Sequence, residues 1–115
     1  MEEADSVIAS DLTLLECDRS IIRASAQSKI REEPANQLRM VLADVTRHWR
    51  LLPISRDIVS RARQPFPGEP VRSLDAIHLA SVLLAATSLP DVALLSLDHR
   101  VRTAGARLGL RVIPG

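Results

Sequence analysis

Three carboxylates from distant parts of the sequence could contribute to one acidic site. Glu16 lies on a predicted helix, on the side shared with Leu12, and Asp75 lies in the first turn of a nearly apolar predicted helix. Asp98 directly follows a predicted strand, and open parallel sheets bind ligands at the carboxyl ends of their strands. Mg²⁺ prefers oxygen ligands and keeps several waters, so a sparse carboxylate cluster suits it. A metal held in this way could activate water and stabilise the charge on a phosphodiester during in-line attack.

Each of these residues also has a purely structural interpretation. Glu16 precedes Arg19 by three positions, a spacing at which helical side chains form surface ion pairs worth a few tenths of a kcal/mol. Asp75 could complement the dipole at the start of its helix, and Asp98 could cap the helix that follows it. His78, one turn after Asp75, could orient that acid or simply pack in the core. The residue types and spacings leave both interpretations open.

Size and composition predict one small domain spanning residues 1–115. Hydrophobic residues make up 46% and charged residues 25% of the 115-residue chain, and the net charge is +1. No apolar run reaches the length of about 18 residues that crosses a membrane, and the acidic opening does not resemble a secretory signal. The single cysteine, Cys17, excludes an internal disulfide and fits a reducing cytosol. These observations predict a cytoplasmic protein with no membrane association.

The charge and aromatic content limit how the chain could bind a nucleic acid. The basic residues are almost all arginine, with Lys29 the one lysine, and the aromatic residues are Trp49 and Phe66. Arginine binds phosphate well through its planar fork, although genomic base content also produces arginine-rich proteins. With so few aromatic residues, a base-stacking platform is not expected. If RNA is the substrate, we expect it to be held mainly through phosphate and metal.

The pattern of apolar residues predicts alternating strands and helices. Ser10 and Ser55 are predicted helix caps, Pro34 a first helical residue and Ser73 a further cap. Gly109 is expected to end the last helix, and the apolar run 92–97 reads as a parallel strand covered on both faces. Strand, helix and strand over the last third form a βαβ unit, so we predict an α/β fold with a mainly parallel sheet. The expected strands are 7–9, 92–97 and 110–113, with a short extended piece at 51–54. The expected helices are 11–27, 34–48, one capped by Ser55 and running to about 62, one capped by Ser73, and one ending before 109.

Several of these segments resemble PIN domains of the VapC type. The most specific match is the segment 72–80, Arg-Ser-Leu-Asp-Ala-Ile-His-Leu-Ala, which is close to the family pattern R-x-x-D-A-x-H-L-A. Residues 7–16 resemble the family's strand and glutamate-bearing helix, and residues 49–54 its short segment before the next helix. Residues 95–98 and 104–110 resemble the closing strand, acid and helix. The resemblance covers the chain from about Val7 and implies a three-layer fold, with a mainly parallel central sheet and helices on both faces.

The resemblance also implies an activity and a set of site residues. Glu16, Asp75 and Asp98 match the acids of the family, which hold Mg²⁺ or Mn²⁺, and Ser96 matches a residue that helps to orient the metal site. The family cleaves RNA and usually supplies the toxin of a type II toxin–antitoxin pair. We therefore expect a metal-dependent endoribonuclease with RNA and an antitoxin as partners, acting as a homodimer or swapped oligomer. The alternative is a non-catalytic PIN-like module that binds an antitoxin or another protein, with helix 34–48 and loop 64–70 as contact candidates.

One part of the family pattern has no counterpart in this sequence. PIN domains begin with a strand that ends in a first catalytic Asp, and no hydrophobic strand precedes Asp5 here. We expect the chain to lack that strand and ligand, because its true start lies upstream of Met1, because it is a decayed toxin, or because a partner or swapped protomer supplies the strand. Loss of one ligand is expected to weaken metal binding severely, which leaves enzymatic activity open.

Overall fold

A computed structural model describes residues 7–89, 91–96 and 98–115. The described chain has an α/β fold in which five helices accompany short parallel strands. It forms two compact units, one ending at Pro53 and the other beginning at Ile54. The elements are β1 (Ile8–Ser10), α1 (Asp11–Ala26), α2 (Glu32–Thr46), β2 (Arg50–Leu52), α3 (Arg56–Ala62), α4 (Ser73–Ser88), β3 (Ala93–Leu95), α5 (His99–Arg107) and β4 (Arg111–Ile113).

The first unit joins a short strand pair to a pair of helices. β1 and β2 run parallel with Ile8 opposite Arg50, and α1 packs against α2. The predicted cap at the start of α1 is confirmed, because the buried Ser10 hydroxyl accepts the Leu12 N–H at 3.1 Å. This bond satisfies one of the N–H groups that have no acceptor within a helix's first turn.

The predicted start of α2 at Pro34 is wrong by two residues. The helix begins at Glu32, and the Ala35 N–H donates to the Arg31 carbonyl at 3.0 Å. Pro34 therefore occupies a first-turn position whose N–H would have no partner within the helix. Proline is tolerated throughout that turn, so it does not identify the first residue.

The second unit contains the predicted βαβ arrangement. β3 and β4 run parallel with Leu94 opposite Val112, and α5 connects them. Ser55 caps α3 by accepting the Ile58 N–H at 3.2 Å, as predicted. The core combines α3, α4, β3, α5 and the loop after α3; its buried members are Ile58, Phe66, Ala76, Leu79, Ala80, Leu94, Val101 and Ala104.

Of two predicted helix boundaries in the second unit, the start of α4 is wrong and the end of α5 is confirmed. Ser73 does not cap α4: Arg72 is the cap residue, without a side-chain cap bond, and its carbonyl accepts the Ala76 N–H at 2.8 Å. Gly109 follows α5 as predicted and has φ of +83°, which glycine adopts without a Cβ clash. The chain enters α4 one residue earlier than the preference for serine as a cap suggests.

The last three extended segments are shorter than predicted, the first strand is shifted by one residue, and the strands form two separate pairs. Each described strand has three residues, and each two-stranded parallel pair belongs to one unit. Leu97, the last residue of the predicted strand 92–97, and Asp5 lie outside the described residues. Parallel pairing is thus confirmed, whereas the three-layer arrangement around one central sheet stays a prediction. In the described residues, no helix is both long enough and apolar enough to span a membrane.

Candidate active site

Asp75 occupies the first turn of α4, beside the core of the second unit. The residue is half-buried, and the next residue, Ala76, belongs to the buried cluster. Within the described residues, no hydrogen bond or ion pair involves the Asp75 carboxylate. No buried side-chain oxygen or nitrogen there lacks a partner either, so solvent reaches the Asp75 oxygens. The carboxylate is held at the edge of the core with both oxygens available to a ligand.

The rest of α4 is mostly apolar, and Asp75 is the one acid of this helix. Leu79, Ala80 and Ser81 are buried, and the Ser81 hydroxyl donates to the Ile77 carbonyl at 2.7 Å. That bond satisfies the one polar side chain of the buried segment within the helix itself. His78 is half-buried one turn after Asp75. Its predicted role in orienting Asp75 stays a prediction.

Asp98 is the N-cap of α5, so the structural interpretation of this acid is confirmed. Its Oδ1 accepts the N–H groups of Arg100 at 2.9 Å and Val101 at 3.1 Å. Both bonds go to one carboxylate oxygen, so the other oxygen takes no part in capping. The cap restrains an exposed carboxylate and leaves Oδ2 outside both capping bonds. Capping and metal binding are therefore compatible at this residue.

Ser96 lies between the end of β3 and Asp98 and is held by three hydrogen bonds. Its hydroxyl accepts the Asp98 N–H at 3.1 Å, and its own N–H donates to the Ile113 carbonyl at 3.2 Å. Its carbonyl accepts a bond of 2.8 Å from the Arg102 guanidinium. The sequence predicted that Ser96 orients the site, and these contacts tie it directly to the backbone of Asp98.

Glu16 lies in the first unit and is half-buried on α1. Asp75 and Asp98 belong to the second unit, where Ala76 and Val101, close to them in sequence, share one buried cluster. Within each unit, the described residues form no group of three His, Cys, Asp or Glu side chains that could hold a metal ion. The structure thus assigns two of the predicted acids, the half-buried Asp75 and the exposed Asp98, to the second unit and the third to the first unit.

The donor chemistry of these acids fits the divalent ion that the resemblance implies. Asp75 offers two carboxylate oxygens, and Asp98 offers the oxygen that is not used for capping. Hard cations such as Mg²⁺ take carboxylate oxygens and complete their shell with water.

Comparison with known proteins gives one kind of relative. The chain is 37% identical over 59 residues to Ribonuclease VapC35 of Mycobacterium tuberculosis, in strain CDC 1551 / Oshkosh and in strain ATCC 25618 / H37Rv. Half of this chain is similar to a VapC ribonuclease. The matched segment covers 50% of this chain and 44% of each relative, so the chain spans less than half the length of the relatives it matches. No model of a known protein family matches the sequence, and no solved structure matches it.

The sequence did not single out two residues that organise the second unit. The Glu69 carboxylate accepts the Phe66 N–H at 2.7 Å and the Val71 N–H at 2.6 Å, which braces the loop after α3. Arg102 binds the carbonyls of Ser96 and Pro114 through its guanidinium. Arg102 could have been found from the sequence by its position one turn after the cap residue Asp98, because a long side chain there can reach back past the start of α5. Glu69 gave no such signal, because its partners are backbone groups of an irregular loop.

Proposed function

We propose that this chain is a metal-dependent endoribonuclease of the PIN type, the toxin component of a type II toxin–antitoxin pair. The observation that carries the proposal is the 37% identity over 59 residues to a protein named Ribonuclease VapC35. Its partners on this proposal are an RNA substrate and an antitoxin protein, and it acts as a homodimer or swapped oligomer. The proposed ligands of Mg²⁺ or Mn²⁺ are Glu16, Asp75 and Asp98.

The positions of two of these ligands support the proposal. Asp75 has a half-buried carboxylate whose oxygens are open to solvent, on a helix whose neighbouring residues are buried. Asp98 is fixed in direction by the cap of α5 and retains one oxygen outside those bonds. A side chain that is already oriented loses less conformational freedom when it binds a cation. Ser96 and His78 are the proposed orienting residues.

The chemistry proposed here is phosphodiester hydrolysis. A bound Mg²⁺ would supply Lewis acidity and lower the pKa of a coordinated water. The protein's own part is to hold and orient the carboxylates and to bind the RNA backbone. Phe66 is buried beneath the Arg61 guanidinium, 4.2 Å from the ring centroid, so its faces are not available for base stacking. The arginine side chains are accordingly the proposed phosphate ligands.

The test is cleavage of an end-labelled single-stranded RNA by the full chain with Mn²⁺, with EDTA and as Asp75→Asn. We expect cleavage that requires the metal and falls by about 100-fold or more in the variant, since loss of a ligand should cost at least as much as loss of an outer-shell partner. The matched control is Asp57→Asn, which removes an exposed carboxylate from the first turn of α3. Both changes weaken a favourable helix-dipole interaction by less than about 1 kcal/mol, so the pair isolates the metal site.

The proposal fails if the folded wild-type chain cuts RNA equally well in EDTA, or if Asp57→Asn and Asp75→Asn lose activity equally. Circular dichroism of each variant establishes that it is folded. Cleavage lost only in Asp75→Asn and in EDTA supports the assigned ligand.

A second candidate is a non-catalytic module that binds an antitoxin or another protein. The observation that favours it is the exposure of apolar side chains along α2, among them Leu38, Val41 and Val45. Exposed apolar patches mark interaction surfaces. Under this reading Asp75→Asn leaves partner binding intact, whereas Val41→Asp abolishes it, and the wild-type chain cuts no RNA.

A further inference from the structure

Arg102 joins three parts of the second unit at the end of its strand pair. The residue lies on α5, and its own N–H donates to the Asp98 carbonyl at 2.9 Å. One guanidinium nitrogen donates to the Ser96 carbonyl at 2.8 Å, and the other donates to the Pro114 carbonyl. The side chain thus connects the end of β3, the start of α5 and the segment after β4.

The contacts around Ser96 carry this connection to the Asp98 carboxylate. Ser96 is fixed on one side by the Arg102 guanidinium and on the other by the Ile113 carbonyl. Its hydroxyl accepts the Asp98 N–H, and Asp98 in turn caps α5 through Oδ1. A planar guanidinium can bind two carbonyls at once with little loss of freedom for each bond, which an ammonium cannot do in the same geometry. The position of the Asp98 carboxylate therefore depends on Arg102 and Ser96, which make no hydrogen bond to the carboxylate itself.

We propose that Arg102 is a positioning residue for Asp98, and that it fixes the carboxylate by clamping the Ser96 carbonyl to the Pro114 carbonyl. The inference rests on the proposed function where it concerns the metal, because Asp98 is there a proposed ligand. The clamp itself concerns only hydrogen bonds within the second unit. Outer-shell groups of this kind commonly change metal affinity by about 10- to 100-fold when they are removed.

The experiment compares Arg102→Gln, Arg102→Lys and a matched control in the full chain. Arg107→Gln is the control, because it removes the same charge from an exposed position in the last turn of the same helix.

The first readout is the hydrogen exchange of the Arg100 and Val101 amides, whose acceptor is Asp98 Oδ1. The second is Mn²⁺ affinity, from the electron paramagnetic resonance signal of free Mn²⁺. Protection of the Leu79 and Ala80 amides reports whether the core is folded.

We expect Arg102→Gln to lower protection of the two capped amides and the Mn²⁺ affinity by about tenfold each, with core protection unchanged. Arg102→Lys keeps the positive charge but lacks the planar guanidinium with its paired donors. It should therefore recover only part of the amide protection and of the Mn²⁺ affinity. Arg107→Gln should change each quantity by less than about twofold, in keeping with a surface substitution.

Two results would overturn the inference. Unchanged exchange of the Arg100 and Val101 amides in Arg102→Gln would show that the clamp does not hold the cap. Looser amides with wild-type Mn²⁺ affinity, in a chain where Asp98→Asn weakens that affinity, would show that Arg102 does not position the ligand. If Asp98→Asn binds Mn²⁺ as the wild type does, the metal site fails, and amide exchange still decides the clamp.

Discussion

The two compact units of this chain differ sharply in how they bury apolar side chains. In the unit beginning at Ile54, eight apolar residues form one buried cluster that draws on three helices, a strand and a loop. In the described part of the unit ending at Pro53, the buried apolar residues are Leu12 and Ala35. Burial of apolar surface is the main favourable term in folding. The second unit therefore has a larger buried apolar interior than the described part of the first.

The first unit exposes apolar residues that are typical of interfaces. Along α2, Leu38, Val41 and Val45 are each about half exposed, and Met40 is 72% exposed. Residues three and four apart share one face of a helix, so Leu38, Val41 and Val45 form a stripe. The comparison teaches that the second unit is stabilised by its own core, whereas the first leaves an apolar helix face exposed.

The largest expected effect tests this difference at two leucines. Leu79→Ala removes a side chain with 0% exposure from the core cluster and should lower the free energy of unfolding by about 2–5 kcal/mol. Leu38→Ala makes the same chemical change on α2 at 48% exposure and should cost less than about 1 kcal/mol. Urea denaturation followed by circular dichroism measures both. Equal losses would contradict the comparison, since they would require an equally packed environment around Leu38.

A smaller effect is expected in the loop that follows α3. Glu69→Gln replaces a carboxylate that accepts two N–H groups with an amide that presents one carbonyl oxygen. One of the Phe66 and Val71 N–H groups then faces an NH₂ donor, which should lower the free energy of unfolding by about 1–3 kcal/mol. Glu33→Gln in the exposed first turn of α2 is the control and should cost about 0.5 kcal/mol. A Glu69 variant as stable as this control would show that the loop is not braced by the carboxylate.

The local sequence predicted those parts of the fold that depend on neighbouring residues. Ser10 and Ser55 cap α1 and α3 because a serine oxygen can reach an amide two or three positions later. The parallel pairing of β3 and β4 across α5 follows from their spacing and apolar runs. The start of α2 was misplaced because Pro34 fits several first-turn positions equally well. Strand length was overestimated because an apolar run does not show where hydrogen-bond pairing ends.

In the candidate site, too, interactions between neighbouring residues could be predicted from the sequence, whereas those between distant residues could not. Asp98 as a cap could be predicted, because the N–H groups that donate to its carboxylate lie within three residues. The Arg102 contact with Pro114 spans twelve residues and depends on the return of β4, so no local pattern indicates it. Asp75 was selected because an otherwise apolar helix has little structural use for an acid beyond its dipole, and the structure gives its carboxylate no protein partner among the described residues. The role of Asp75 as a metal ligand stays a prediction.

The smallest expected effect tests exposure on α2 at Met40, which lies outside the stripe formed by Leu38, Val41 and Val45. Met40→Gln exchanges two residues of similar helix propensity, so the change in unfolding free energy reports burial rather than helix formation. At 72% exposure we expect a change within about 0.5 kcal/mol, measured by urea denaturation at low protein concentration. A loss of stability that grows with protein concentration would mean that the methionine is covered in an oligomer, because association stabilises only the folded chain. Sedimentation of the wild type and the variant would separate these outcomes: an exposed α2 gives equal sedimentation, whereas a self-associating face gives a smaller species in the variant.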